Sequence, residues 1–252
     1  MKIKSLLFTF FVILSAFSIL PPKKITIWLI GDSTMSIKET KAYPETGWGM
    51  PFVFFWDSTV KVDNRAMNGR STRTFMEEKR WEPVVSNLQE GDYVFIQFGH
   101  NDEVPTKKSY VNENDFKNNL VKYINDTRSK KAIPVLLTPV ARRKFDSSGH
   151  IQETHAVYAQ IVRDVAKENN VPLIDLAEKA KALYQQLGPE TSKNLFNYVL
   201  PGEHPNYPEG KQDDTHFSEL GARKIAELVL ADIKSLHLEL ADHIIKPIVK
   251  NQ

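Results

Sequence analysis

The sequence predicts an α/β protein: a three-layer α/β/α sandwich with a five-stranded parallel sheet, flavodoxin-like in kind. Three observations predict it. After Pro21-Pro22, short β-rich runs alternate with longer helical patterns, the order that calls for a parallel sheet with helices on both sides. Several of the short runs are continuously apolar, as strands buried on both faces are. The 252 residues, 41% of them hydrophobic and 25% charged, supply enough apolar material for one core and too little for two ordinary enzyme domains. One domain over residues 22–252 is the expectation.

In chain order, Ile25 to Ile30 is the first strand and stops at a glycine, Gly31. Trp48 to Trp56 reads as a helix and Val60 to Asn64 as the second strand, followed by a helical pattern over Thr72 to Leu88. The third strand, Tyr93 to Phe98, precedes a helix over Asn114 to Arg128; the fourth, Ile133 to Leu137, precedes one over Thr154 to Asn169; the fifth is Pro172 to Asp175. Helical patterns then cover Ala177 to Leu187, a short Glu190 to Phe196 segment, and Ser218 to Leu236, which Ser218 caps. The loop Pro201 to Asp214, "PGEHPNYPEGKQDD", is long and rich in Pro, Gly and charge, and long loops in compact domains are usually functional. The C-terminal "HLELADHIIKPIVKNQ" reads as a short added helix or a frayed end.

The first residues, "MKIKSLLFTFFVILSAFSIL", carry two lysines, an apolar run from Leu6 to Leu20, and small residues Ala16 and Ser18 at a spacing that signal peptidases accept. This run of fifteen residues is shorter than the roughly 20 that a spanning helix needs. Residues 1–21 therefore read as a cleaved export signal, and the protein as secreted or periplasmic with no stable membrane insertion afterwards. A formal charge of +2, with Lys and Arg scattered among Asp and Glu, lacks the basic stripe of a nucleic-acid binder. The absence of cysteine rules out disulfides, thiolate nucleophiles and Cys-ligated zinc. Any chemistry must use oxygen and imidazole.

In sheets of this kind ligands sit beyond the carboxyl ends of the strands, and the chemistry-bearing residues lie there. "IGDSTMS" ends the first strand and delivers Ser33 to the crevice, with Gly31 allowing a backbone bend that a side chain would obstruct. A serine hydroxyl is a poor nucleophile until a base takes its proton. "DDTHFSELGARKIAELV" offers His216 in a loop before the last helix. Asp213, three residues earlier, can fold back to hold the second imidazole nitrogen; Asp214 is the competitor and sits less naturally on the same side of a turn. The oxyanion of a tetrahedral intermediate needs donors. Gly69 in "NRAMNGRSTRTF", after the second strand, can place a bare backbone N–H against a ligand, and Asn101 in "QFGHND", after the third, offers a side-chain amide.

Together the four blocks, in the order GDS, G, GxND and DxxH, resemble the SGNH or GDSL-like hydrolase superfamily over Ile27 to Val229. The resemblance implies an SGNH hydrolase fold, Ser33 as nucleophile with its own N–H as one oxyanion donor, Gly69 and Asn101 as the other two, and Asp213 and His216 as acid and base. GDST with Thr34, "NGRSTRTF" and FGHND together look like the rhamnogalacturonan acetylesterase branch, carbohydrate esterase family twelve. That implies a serine acetylesterase acting on acetylated pectic polysaccharide or oligosaccharide through an acyl-enzyme, with no cofactor. Acetylated xylan or other sugars, and a general lipase or thioesterase, are the alternatives within the chemistry; a carbohydrate-binding module with a dead site is the non-enzyme alternative. Galacturonate carries carboxylates, so Arg70 and Arg73 beside the glycine block are candidate substrate-binding residues, with ion pairs to Asp63, Glu77 or Glu78 as their structural alternative. His204 and Tyr207 on the long loop, and Arg142 and Arg143 after the fourth strand, are further candidates for the groove. The histidines form no H-x-x-x-H or H-E-x-x-H pair, and no metal is expected.

Overall fold

A computed structural model describes residues 24–246, so the export signal expected over 1–21 lies outside the described residues. Strands β1 (Ile25–Gly31), β2 (Val60–Asn64), β3 (Tyr93–Gln97), β4 (Ile133–Leu137) and β5 (Leu173–Ile174) form one sheet in the order β2-β1-β3-β4-β5. Every neighbouring pair is parallel, with Leu29 opposite Phe95 and Phe95 opposite Val135 in the central register. The chain passes from β1 to β2 on one side and returns to β3 on the other. The carboxyl ends of β1 and β3 therefore flank the switch point where such sheets open a crevice.

Helices α1 (Gly49–Phe52), α2 (Thr72–Glu77), α3 (Trp81–Asn87), α4 (Glu113–Ser129), α5 (Ala156–Glu168), α6 (Leu176–Thr191) and α7 (Glu219–Ser235) cover both faces. Alternate strand residues point to opposite faces, which explains why the inner strands β1, β3 and β4 are almost wholly apolar, while the edge strand β2 carries Lys61 and Asp63. Ile27, Leu29, Phe95 and Leu137 pack with Trp48, Phe52 and the Ile225 and Val229 stripe of α7. Trp28, Ile30, Val94 and Ile96 pack with Phe75, Phe116, Tyr123 and Val162 from α2, α4 and α5. No helix among the described residues is long and apolar enough to cross a membrane.

Three helical expectations are corrected. The pattern over Thr72 to Leu88 is two helices, because the first ends in a Schellman motif: Arg80 N–H donates to the Phe75 carbonyl, Lys79 N–H donates to that of Met76, and Lys79 takes φ 57°. Pro83 could not have continued it, since its ring would press on the Lys79 carbonyl and it has no N–H to give. Trp48 to Trp56 contracts to α1 and one 3-10 turn, Val53–Phe55. The Glu190 to Phe196 segment is shared between α6, kinked at Gly188 before Pro189, and a 3-10 turn over Ser192–Leu195.

Candidate active site

The serine loop leaves β1 at Gly31, where a Cβ would meet the Gln97 carbonyl of β3 at 2.5 Å, so close strand approach is what demands glycine. Beyond it the chain turns sharply. The N–H groups of Met35 and Ser36 both donate to the Asp32 carbonyl, and the Asp32 carboxylate accepts from the Thr34 N–H and hydroxyl at 2.9 Å each. Burial raises the Asp32 carboxyl above its ordinary range, with these bonds from Thr34 opposing. Gln97 then ties the loop to the core: its amide donates to Thr34 Oγ1 at 2.7 Å and its oxygen accepts from Trp48 Nε1 at 2.7 Å. This buried chain holds the Ser33 backbone without using the Ser33 hydroxyl.

That hydroxyl lies 2.9 Å from His216 Nε2, and His216 Nδ1 lies 2.9 Å from Asp213 Oδ2. A carboxylate can only accept, so Nδ1 carries the proton and the bare Nε2 accepts from Ser33. Asp213 is folded back as its spacing predicts, its other oxygen accepting the N–H groups of Thr215 (2.8 Å) and His216 (3.0 Å). Burial alone would raise its carboxyl; the hydrogen bonds from the His216 ring and the two N–H groups, with the imidazole's charge, carry it far below the ordinary value. Asp214 is committed elsewhere: it accepts from Arg143 at 2.6 Å and from the Tyr198 hydroxyl at 2.7 Å. Arg143 is buried in this pairing and is no part of the groove.

Gly69 and Asn101 line the same cavity as Ser33 and His216, a space of about 340 Å³. Gly69 has φ 78°, a left-handed conformation that favours glycine, and nothing lies within 4 Å of where a Cβ would stand. One N–H of the Asn101 amide donates to the Arg70 carbonyl at 3.0 Å, leaving the other free. Its oxygen accepts from Lys107 Nζ at 3.1 Å, and a cation there polarises the amide and sharpens the free N–H as a donor.

Behind Asn101, Asp102 accepts from the Thr72 N–H (2.8 Å) and hydroxyl (2.6 Å), anchoring the start of α2; burial pushes its carboxyl up to about 7. On the far wall, Arg142 donates to Thr215 Oγ1 at 3.1 Å and approaches Glu103, which also takes His155 Nδ1 at 2.9 Å. His100 packs edge-on against His155, and burial, with the charges of His155, Arg142 and His216, keeps it well below the ordinary imidazole value and neutral.

Of the other candidates, Arg142 reaches the cavity, and Arg70 lines an adjoining one while donating to Glu78. Arg73 is turned away, donating to Glu77 and to the carbonyls of Lys108 and Tyr110. His204 and Tyr207 are also outside. Their loop is stitched to residues 40–43 by the Asn206 amide and the Tyr207 hydroxyl, and His204 faces a separate cavity of about 790 Å³.

Sequence reasoning missed Lys38, Glu45 and Lys107. Lys38 is buried, donates to the Ser33 carbonyl and to Asn68 Oδ1, and pairs with Glu45 at 2.8 Å. Burial lowers the Lys38 ammonium and Glu45 opposes that shift. Among the described residues, Glu45, Asp213 and His216 are the one group of acids and histidines close enough to share an ion. Their donor atoms are already taken up by the Lys38 pair and the Asp213–His216 bond. Only the adjacent lysines of "TKKS" gave a local signal, and loop lysines are ordinarily solvated.

The sheet and the motifs at its strand ends define the class. The sequence pattern of the GDSL-like lipase/acylhydrolase family matches residues 29–224; the chain belongs to this family and is a carboxylic ester hydrolase. It is 44% identical to rhamnogalacturonan acetylesterase RhgT of Bacillus subtilis (strain 168) over 224 residues, 88% of this chain and 95% of that protein. It is 35% identical over 222 residues to "Probable rhamnogalacturonan acetylesterase YesY" of the same organism, covering 87% and 97% of the two. The crystal structure of B. subtilis YxiM superposes with a TM-score of 0.74 at 27% identity; 86% of this chain is covered, but only 58% of that one.

Proposed function

We propose that the protein is a serine carbohydrate esterase that removes O-acetyl groups from pectic polysaccharide of the rhamnogalacturonan type. The observation that carries the chemistry is the pair of 2.9 Å contacts on the two sides of the His216 ring. Ser33 Oγ attacks the acetyl carbonyl carbon as His216 Nε2 takes its proton, and Asp213 stabilises the imidazolium. The N–H groups of Ser33 and Gly69 and the free N–H of Asn101 receive the oxyanion. Collapse breaks the bond to the sugar oxygen, which leaves with the His216 proton. Water, deprotonated by the same nitrogen, then attacks the acetyl group on Ser33, and acetate departs as Ser33 regains its proton.

The substrate half rests on the names of the relatives, to which the cavity adds support. Asn68, His100, Asn101, Lys107, Arg142 and Thr215 around Ser33 make a polar enclosure suited to a short acyl group on a sugar hydroxyl. The apolar cavity that holds Phe54 and Leu220 shares no residue with it, which disfavours a long-chain lipase. The leader-like N-terminus extends the proposal to an enzyme acting outside the cytoplasm.

Acetate release from acetylated rhamnogalacturonan, acetylated xylan and a long-chain p-nitrophenyl ester tests the reading. The expected order of kcat/KM is pectic first, xylan at least about tenfold lower, and the long-chain ester lowest. Xylan above rhamnogalacturonan would sink the pectic assignment and keep the esterase.

A further inference from the structure

We infer that the cavity beside the oxyanion hole is a subsite for a uronate carboxylate, held by Lys107 and Lys108, so that the enzyme reads the charge carried by the chain it deacetylates. The inference rests on the pectic reading above.

This cavity, about 420 Å³, adjoins the catalytic one: Gly69, Asn101 and Lys107 line both. A volume of this size accommodates a sugar unit. A polysaccharide with its acetylated ring at Ser33 and its carbonyl oxygen at Gly69 and Asn101 leads the rest of its chain past that shared wall. Three cationic side chains, Arg70, Lys107 and Lys108, face one carboxylate there, Glu78. Glu78 is already saturated, accepting from Arg70 at 2.9 Å and Arg80 at 2.6 Å, and both guanidinium groups hold its carboxyl below the ordinary range. Among the described residues, neither Lys107 nor Lys108 has a carboxylate within ion-pair distance; Lys107 has only the neutral Asn101 oxygen. The cavity thus has a surplus of positive charge with no protein partner.

The lysines are also held in place. Arg73 donates to the Lys108 and Tyr110 carbonyls, Tyr110 N–H donates to the Lys107 carbonyl, and the Ser109 hydroxyl donates to the Asn101 carbonyl. The backbone that presents the two ammonium groups is therefore tied to α2 and to the oxyanion loop, which reduces the ordering cost of binding. A neutral sugar would leave these charges as they are. A carboxylate pairs them on an open, solvent-exposed wall, where each pair is worth no more than a screened surface ion pair.

The test compares acetate release from acetylated rhamnogalacturonan with release from the same polymer whose carboxylates are blocked as methyl esters. The wild type is expected to prefer the charged polymer by about tenfold in kcat/KM, chiefly through KM, the size of two partly screened ion pairs. In Lys107→Gln/Lys108→Gln the ratio falls to about one, and Lys108→Glu takes it below one. Lys107→Gln alone lowers kcat on both polymers through Asn101, and the ratio is insensitive to that common loss. Equal wild-type rates on the two polymers, or a double variant that keeps the full preference, would overturn the subsite and leave the pectic reading standing. No acetate from either polymer, with p-nitrophenyl acetate still hydrolysed, would overturn both.

Discussion

Ser33→Ala is expected to yield a folded protein whose ester turnover has dropped by about four to six orders of magnitude. The size follows from what the hydroxyl does and does not do. Among the described residues it is the one hydroxyl hydrogen-bonded to His216 Nε2, at 2.9 Å, so no other hydroxyl inherits its place. The loop itself is held by the bonds of Asp32, Thr34, Gln97 and Trp48, none of which uses Ser33 Oγ. Losing one hydrogen bond that faces the cavity costs about 1 kcal/mol of stability. Steady-state hydrolysis of p-nitrophenyl acetate, with circular dichroism of both proteins, separates the two effects. Activity within tenfold of wild type would remove Ser33 from the mechanism.

Asp213→Asn is expected to reduce kcat by about 10⁴ and Asp214→Asn by less than about threefold. The amide at 213 can present N–H to Nδ1, which turns the imidazole's proton onto Nε2, the atom that must be bare to accept from Ser33. The tautomer is then wrong even where the geometry survives. Asp214 has another task, pairing with the buried guanidinium of Arg143 and with Tyr198, so its replacement lowers stability by about 1 kcal/mol because the pair is half exposed. Kinetics and urea unfolding on the two variants check both halves. A larger loss of kcat at 214 than at 213 would exchange the roles.

The inner strands were legible because they are buried on both faces and so are almost wholly apolar; β3, Tyr93–Gln97, is buried at every residue, whereas the edge strand β2 is only partly buried and carries Lys61 and Asp63. The helix pattern over Thr72 to Leu88 misled because Phe75, Trp81 and Val84 all face one core, and apolar periodicity continues across a chain reversal that Lys79 makes. Pro83 was the overlooked signal. At the site, Ser33, Asp213, His216, Gly69 and Asn101 were legible because each follows a strand or precedes α7 within a short motif. The carboxylate at 213 could be told from that at 214 by the reach of a three-residue turn. Glu45 and Lys38 were not legible, since they meet the site only through the path of residues 37–47 across the sheet end. His204 misled for the opposite reason: the loop is long and polar, but Asn206 and Tyr207 fasten it to residues 40–43 instead of to the cavity.

The most direct test of the central claim is the site of covalent attachment. The enzyme is treated with an organophosphorus ester, which traps an activated serine, and digested for peptide mass analysis while residual activity is followed. One label per chain on Ser33, rising in step with the loss of acetyl-ester hydrolysis and absent in Ser33→Ala, is the predicted result. Full inactivation with the label on another residue, and Ser33 unmodified, would contradict it.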